Sequence, residues 1–243
     1  GSLAGDALTD ADYNVALGFH ALSSDTKGFR ATAIGQGALF SQNFTSATDN
    51  YNTAVGYAAG VNVTTGIHNT LLGGLAGDAI TTGDSNTFLG KGAGSSTTTS
   101  DRNTAVGRDA LFTNTTGQQN VAIGTAAMYY CATGNYNVAV GTNALDALTT
   151  AENNTAVGQE AGNDVTTGSA NTLAGAGAGS KITTAGKNTM FGYNAGTGIT
   201  TGGDNTFVGA DVGVNVTTGN ANILVGGSES GVVGGTGEAL TTG

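Results

Sequence analysis

The chain has no proline, no tryptophan, one cysteine and two histidines, and only 10% of its residues are charged. A single Cys131 cannot build an internal disulfide framework or a cysteine-based zinc site. His20 and His68 lie 48 residues apart, which gives no metal site and no nucleophile–base pair. No apolar run approaches the ~18 residues of a membrane-spanning helix, so membrane insertion is not expected. Basic residues are also scarce. Seven Lys and Arg against 17 Asp and Glu leave a net charge of −10, which argues against a nucleic-acid partner. Glycine is what the chain has in excess, 43 of 243 residues. Without Pro this is neither collagen nor the usual Pro-rich disordered composition. Something regular must organise it.

The regularity is a repeat. The pattern Asn-x-apolar-aliphatic-Gly, most often with Thr second, starts at Asn52 and recurs every 17 residues through eleven copies, ending with the one at Asn222. Counting that Asn as position 0, position 4 is Gly in all eleven copies. Position 7 is Ala from Ala59 to Ala195, and position 13 is Thr from Thr65 to Thr218. Two earlier copies begin at Asn14 and Ala31, and a four-residue insertion separates Ala31 from Asn52. Three segments follow: irregular N-terminal coils with the insertion (1–51), a regular repeat (52–226), and a degenerate end (227–243).

A unit of 17 residues is too short for helix pairs, and its β-branched content favours strands. The spacing predicts an all-β parallel β-solenoid, or β-roll, of about thirteen coils stacked at roughly 4.8 Å. Each coil would hold a strand from Asn to position 3, a turn at Gly, a second short strand ending in Thr-Thr, and another turn. Stacked Asn side chains would form amide ladders. Within the first strand, positions 1 and 3 face one way and position 2 the other. Position 3 is expected inside the coil. Position 2, also apolar throughout, would then form an exposed stripe: Ala54, Leu71, Phe88, Leu173, Met190, Phe207 and Leu224. Such a stripe marks an interface, which predicts a homotrimeric rod with these residues around its axis.

The segment Asn52-Thr-Ala-Val-Gly-Tyr-Ala-Ala-Gly60, followed by Thr64-Thr65-Gly66, resembles repeats of bacteriophage tail fibres and of bacterial surface proteins with tail-fibre domains. It is also similar to the head repeats of trimeric autotransporter adhesins. The resemblance covers about residues 12–226. It implies a trimeric parallel β-roll that attaches to a host cell-surface glycan or protein, located on a virion tail fibre or an extracellular bacterial surface. The register fades after Gly226 and the first residues already match the second half of a repeat, so the chain reads as a fragment or processed product.

Catalytic constellations are sparse, and neither enzyme activity nor a cofactor or metal is expected. Gly90-Lys91-Gly92-Ala93-Gly94 and Gly175–Gly179 mimic phosphate loops but lie in no βα unit. Asp84 and Asp101 share position 15 on adjacent coils, close enough for a glycosidase pair, yet without a pocket to raise an acid's pKa. Cys131, at a position held elsewhere by Val or Ile, reads as a buried hydrophobe. Receptor-binding residues should break the repeat. The insertion and the turn before it offer Phe29, Arg30, Gln42, Asn43, Phe44 and Tyr51, with aromatics to stack on sugars and polar groups for their hydroxyls. Two further readings are an ice-binding solenoid carrying the position-13 Thr column and a polysaccharide depolymerase.

Overall fold

The computed structural model describes residues 1–227; the expected degenerate end, 227–243, lies outside them except for Gly227. Among the described residues there is no helix. The chain is an all-β parallel solenoid of 17-residue coils, in two compact units, Gly1–Asn120 and Val121–Gly243.

In the first unit the main strands are β1 (Val15–Leu17), β3 (Thr32–Ile34), β5 (Thr53–Val55), β6 (Thr70–Leu72), β7 (Thr87–Leu89) and β8 (Thr104–Val106), paired in that order. A two-stranded sheet, β2 (Gly28–Phe29) with β4 (Thr48–Asp49), lies beside them in sequence. The second unit holds β9 (Val121–Ile123), β10 (Val138–Val140), β11 (Thr155–Val157), β12 (Thr172–Ala174), β13 (Thr189–Phe191), β14 (Thr206–Val208) and β15 (Ile223–Val225). Pairing is parallel and in register, Thr53 beside Thr70 and Thr155 beside Thr172. Across the insertion Thr32 still faces Thr53. The extra residues are absorbed elsewhere: Thr26 bonds Asn43 in the normal spacing, whereas Thr48 N–H reaches back to Lys27. Phe44–Ala47 are therefore the insertion.

The Asn column explains why one residue type holds this place. Each Oδ1 accepts the backbone N–H of the next Asn: Asn69 on Asn52 at 2.9 Å, Asn154 on Asn137 at 3.0 Å, Asn222 on Asn205 at 2.9 Å. Along the column Nδ2 also donates to the carbonyl fourteen residues on, as Asn69 does to Gly83 at 2.9 Å and Asn188 to Gly202 at 3.0 Å. The side chain thus supplies donor and acceptor inside the coil, where an unpaired backbone amide would cost about 1–3 kcal/mol. Position 4 must be Gly for a different reason. Its φ is near +140°, and a Cβ on Gly56 would stand 2.5 Å from the carbonyl oxygen of Gly73.

The second strand expected at Thr-Thr does not form; that segment runs as turns and bends. Burial there repeats every three residues, Val63, Gly66 and Asn69 being buried, which the two-residue alternation of a strand cannot produce. The coils still bond there, Thr64 N–H to Thr81 O at 2.9 Å and Thr166 N–H to Thr183 O at 2.9 Å.

The faces of the main strand are the reverse of those expected. Position 2 points inward, and Ala54, Leu71, Phe88, Leu173, Met190 and Phe207 have no exposed surface, with Leu224 at 5%. Positions 1 and 3 point outward. The seven residues expected at a trimer interface are enclosed by their own coils, so they offer no surface to another chain.

Inside, position 2 trades volume with position 8. Where position 2 is Leu71, Phe88, Leu173, Met190 or Phe207, position 8 is Gly: a Cβ on Gly94 would collide with the Phe88 ring, one on Gly213 with Phe207, one on Gly196 with Met190. Where position 2 is Ala16, Ala33, Ala105, Ala122 or Ala139, position 8 is Leu22, Leu39, Leu111, Met128 or Leu145, each fully buried. Two coils have Ala and Gly together, and their neighbours fill the gap. Leu71 and Leu39 close on Gly60, and Leu173 and Leu145 close on Gly162. One large side chain per gap keeps the interior at native density.

Candidate interaction surface

Because position 2 is internal, the outer face of each sheet is built from positions 1 and 3. Position 1 is chiefly Thr: Thr32, Thr53, Thr70, Thr87 and Thr104 in the first unit, Thr155, Thr172, Thr189 and Thr206 in the second. Position 3 is apolar in every strand, and much of it is exposed: Leu17 (60%), Leu89, Ile123, Val157, Phe191 (59%), Val208 and Val225. Each unit therefore presents a run of hydroxyls, Thr32 to Thr104 in the first and Thr155 to Thr206 in the second, beside a column of hydrocarbon.

Two variable columns border this face. On one side is the residue before the Asn, exposed in every coil and always at positive φ, from Tyr13 (64°) through Arg30 and Tyr51 to Ala221 (57°). None of these residues is Gly, so the left-handed backbone, costing about 1–2 kcal/mol per residue, is held by the ladders on either side. On the other side is position 5, where Phe19, Gln36 and Tyr57 follow one another.

The six residues singled out around the insertion separate. Gln42 is fully buried; its Nε2 donates to Asp25 Oδ2 at 2.6 Å and its Oε1 accepts from Asn52 at 2.8 Å. Phe44 is buried against Gly28, where there is no room for a Cβ. Neither can touch a receptor. Both plug the coil interior, and their N-terminal neighbour Asp25 takes the N–H groups of Gly28 (3.0 Å) and Phe44 (3.1 Å). Asn43 is exposed and accepts the Thr26 hydroxyl at 3.0 Å. Phe29 is half-buried in β2. Arg30 and Tyr51 do meet on the surface. The Arg30 guanidinium lies 5.2 Å from the Tyr13 ring centre and 5.6 Å from that of Tyr51, and pairs with Asp49. Tyr51 in turn stacks on His68 at 5.8 Å. Tyr51 is engaged by both Arg30 and His68, whereas Tyr13, 76% exposed, keeps open ring surface.

Asp84 and Asp101 are absorbed by the ladder and Cys131 by the core. Asp84 Oδ1 accepts the N–H of Ile67 at 2.7 Å, and Asp101 Oδ1 that of Asp84 at 2.8 Å. The two carboxylates act as rungs. Cys131 is buried, and that burial pushes its thiol up to about 12. Partial burial, reinforced by the negative charge of Asp164, raises the Asp146 carboxyl above its ordinary value.

Sequence reasoning missed the outer sheet face and a cleft between Phe19 and Tyr57. Compared with family models, curated proteins and solved structures, the chain matches none.

Proposed function

We propose that the chain is a structural attachment fibre, assembled as a homotrimer and most consistent with a bacteriophage tail fibre that contacts the host surface. The observation that carries this reading is the continuous apolar position-3 column on the outer sheet face of each unit. Outward-facing hydrocarbon at every main strand, half-buried at some and exposed at others, is a surface waiting for a partner. The partner with the same repeat is another copy, and three such chains related by a closed rotation along the stack would meet coil by coil in step. The trimer inferred from the sequence is kept, but its contacts move from position 2 to positions 1 and 3. A bacterial surface adhesin or extracellular filament is the same object on a cell envelope. No catalytic role is assigned to Asp84 and Asp101, whose Oδ1 atoms accept backbone amides of the ladder.

The test is the mass of the assembly in solution. Light scattering is expected to give three chains of 23.6 kDa. The variant Leu89→Asp with Val106→Asp is expected to give one chain with an unchanged circular dichroism spectrum and no adsorption to host cells. Both side chains point outward, so the coil interior is untouched. Three chains in that variant, or one chain in the parent, would overturn the reading.

A second reading is favoured by the Thr column at position 1. Hydroxyls on adjacent parallel strands repeat at about 4.8 Å, and a single chain with this face free would suit ice binding. Thermal hysteresis by a one-chain species, lost in Thr70→Tyr with Thr87→Tyr, distinguishes it.

A further inference from the structure

On the flank of the first unit, three consecutive coils leave a cleft of about 210 Å³ lined by Phe19, His20, Gln36, Gly37, Phe40 and Tyr57. We infer that this cleft binds one neutral pyranose ring. That the ring belongs to a cell-surface glycan rests on the attachment role proposed above; the fit of a ring to the cleft does not.

The spacing comes from the solenoid itself. Phe19, Gln36 and Tyr57 all occupy position 5, and the bonds Gly37 N–H to Phe19 O (3.0 Å) and Ala58 N–H to Gln36 O (2.8 Å) set them on successive coils. Two coil steps separate the aromatic residues by about 9.6 Å. A ring held between two others at roughly 3.5–4.0 Å on each side needs them about 7–8 Å apart, within reach of side chains whose backbones lie two coil steps apart. One coil step is too tight for that, and three steps are too wide. Gly37 gives the cleft its depth: a Cβ there would find its nearest neighbour only at 3.9 Å.

The polar groups suit hydroxyls rather than charges. The His20 ring stands edge-on to Phe19 at 4.1 Å and to Phe40 at 5.5 Å, and Ser23 Oγ lies 3.4 Å from its Nδ1. That arrangement leaves Nε2 for a ligand. With the Gln36 amide and the Tyr57 hydroxyl it supplies both donors and acceptors. No Lys, Arg, Asp or Glu lines the cleft, and the chain's net charge is −10, so an anionic ligand is disfavoured. An apolar rim with a few convergent polar groups is how small-molecule sites are built. Among the described residues of the second unit, Tyr193 at position 5 has Gln159 and Gly227, not an aromatic residue, two coils to either side.

The experiment titrates the full chain with the methyl glycosides of glucose, galactose, mannose and N-acetylglucosamine, following the His20 ring and Gln36 amide resonances by NMR. Saturable shifts with at least one glycoside are expected. Tyr57→Ala and Gln36→Leu should each weaken binding about tenfold, roughly 1.4 kcal/mol, whereas Tyr193→Ala should leave it unchanged. Tyr57 is more than half exposed, so its truncation leaves the fold intact. No shift with any glycoside, shifts that survive Tyr57→Ala, or tighter binding of adenosine would each overturn the proposal. Shifts in a one-chain species would sink the fibre and keep the site. Three chains without shifts would do the reverse.

Discussion

The two units share one coil yet fill position 11 differently. In the second unit the column reads Cys131, Leu148, Val165, Ile182, Ile199, Val216; in the first it reads Asp25, Gln42, Val63, Ile80, Thr97, Asn114. Hydrocarbon needs no partner, so the second unit places any apolar side chain of suitable size there. The first unit must answer each polar atom. Asp25 takes two backbone amides and the Gln42 side chain. Asn114 accepts the N–H of Gly117 at 2.8 Å and donates to Gly117 O at 2.9 Å and to Ser100 Oγ at 3.3 Å. Ser100 occupies a place usually held by Gly. Thr97 fails the requirement: its buried hydroxyl has no partner. The lesson is that a buried polar group fits this repeat only when neighbouring coils change with it.

That contrast can be broken first from the apolar side. Ile182→Asp puts into the second unit the residue that the first one tolerates, without the amides that hold it. The expected loss is 4–5 kcal/mol or more, seen in denaturant unfolding, with amide protection in residues 121–227 lost first. The converse, Asp25→Val, strands two amides and the Gln42 side chain; about 3 kcal/mol should be lost, with exchange rising around Gly28 and Phe44. A pH test comes next. The folded thiol of Cys131 lies near 12 against an ordinary 9.0. Its folded pKa is the higher one, so its contribution is complete below about pH 9 and declines as pH rises toward 12. Relative to Cys131→Val, the parent should lose at most about 1.4 kcal/mol per pH unit across that window. The smallest effect sharpens the comparison. Thr97→Val removes the orphan hydroxyl at nearly constant volume and should raise stability by about 1 kcal/mol, measured by the same unfolding midpoint.

Much of this fold was legible. The 17-residue interval, the Asn ladder and the Gly at position 4 follow from spacing and residue type alone. The inside and outside of the strand were assigned the wrong way round, because positions 2 and 3 are both apolar and alternation cannot say which side is inner. The deciding signal was present in Thr at position 1. It shares a face with position 3, and nine buried hydroxyls, in runs of five and four, would have needed nine partners. A second signal was the trade between Ala and Leu, as at Ala105 with Leu111 against Phe88 with Gly94. The expected receptor residues fared unevenly for a related reason. An insertion breaks the repeat, but Gln42 and Phe44 were recruited to close an interior that Asp25 had made polar. The left-handed corner before each Asn was not readable, since residues as different as Tyr, Arg, Ser and Ala occupy it.

The paired bulk at positions 2 and 8 also bears on how such a chain can lengthen. A coil such as 171–187, with Leu173 facing Gly179, carries its own filling and can be copied beside itself. The coil 154–170 cannot: Ala156 and Gly162 borrow side chains from both neighbours, and two copies in succession would leave a hole of about one Leu, a defect worth about 2–5 kcal/mol. Growth by duplication is therefore free at some coils and barred at others, and the order of the repeats is part of the fold.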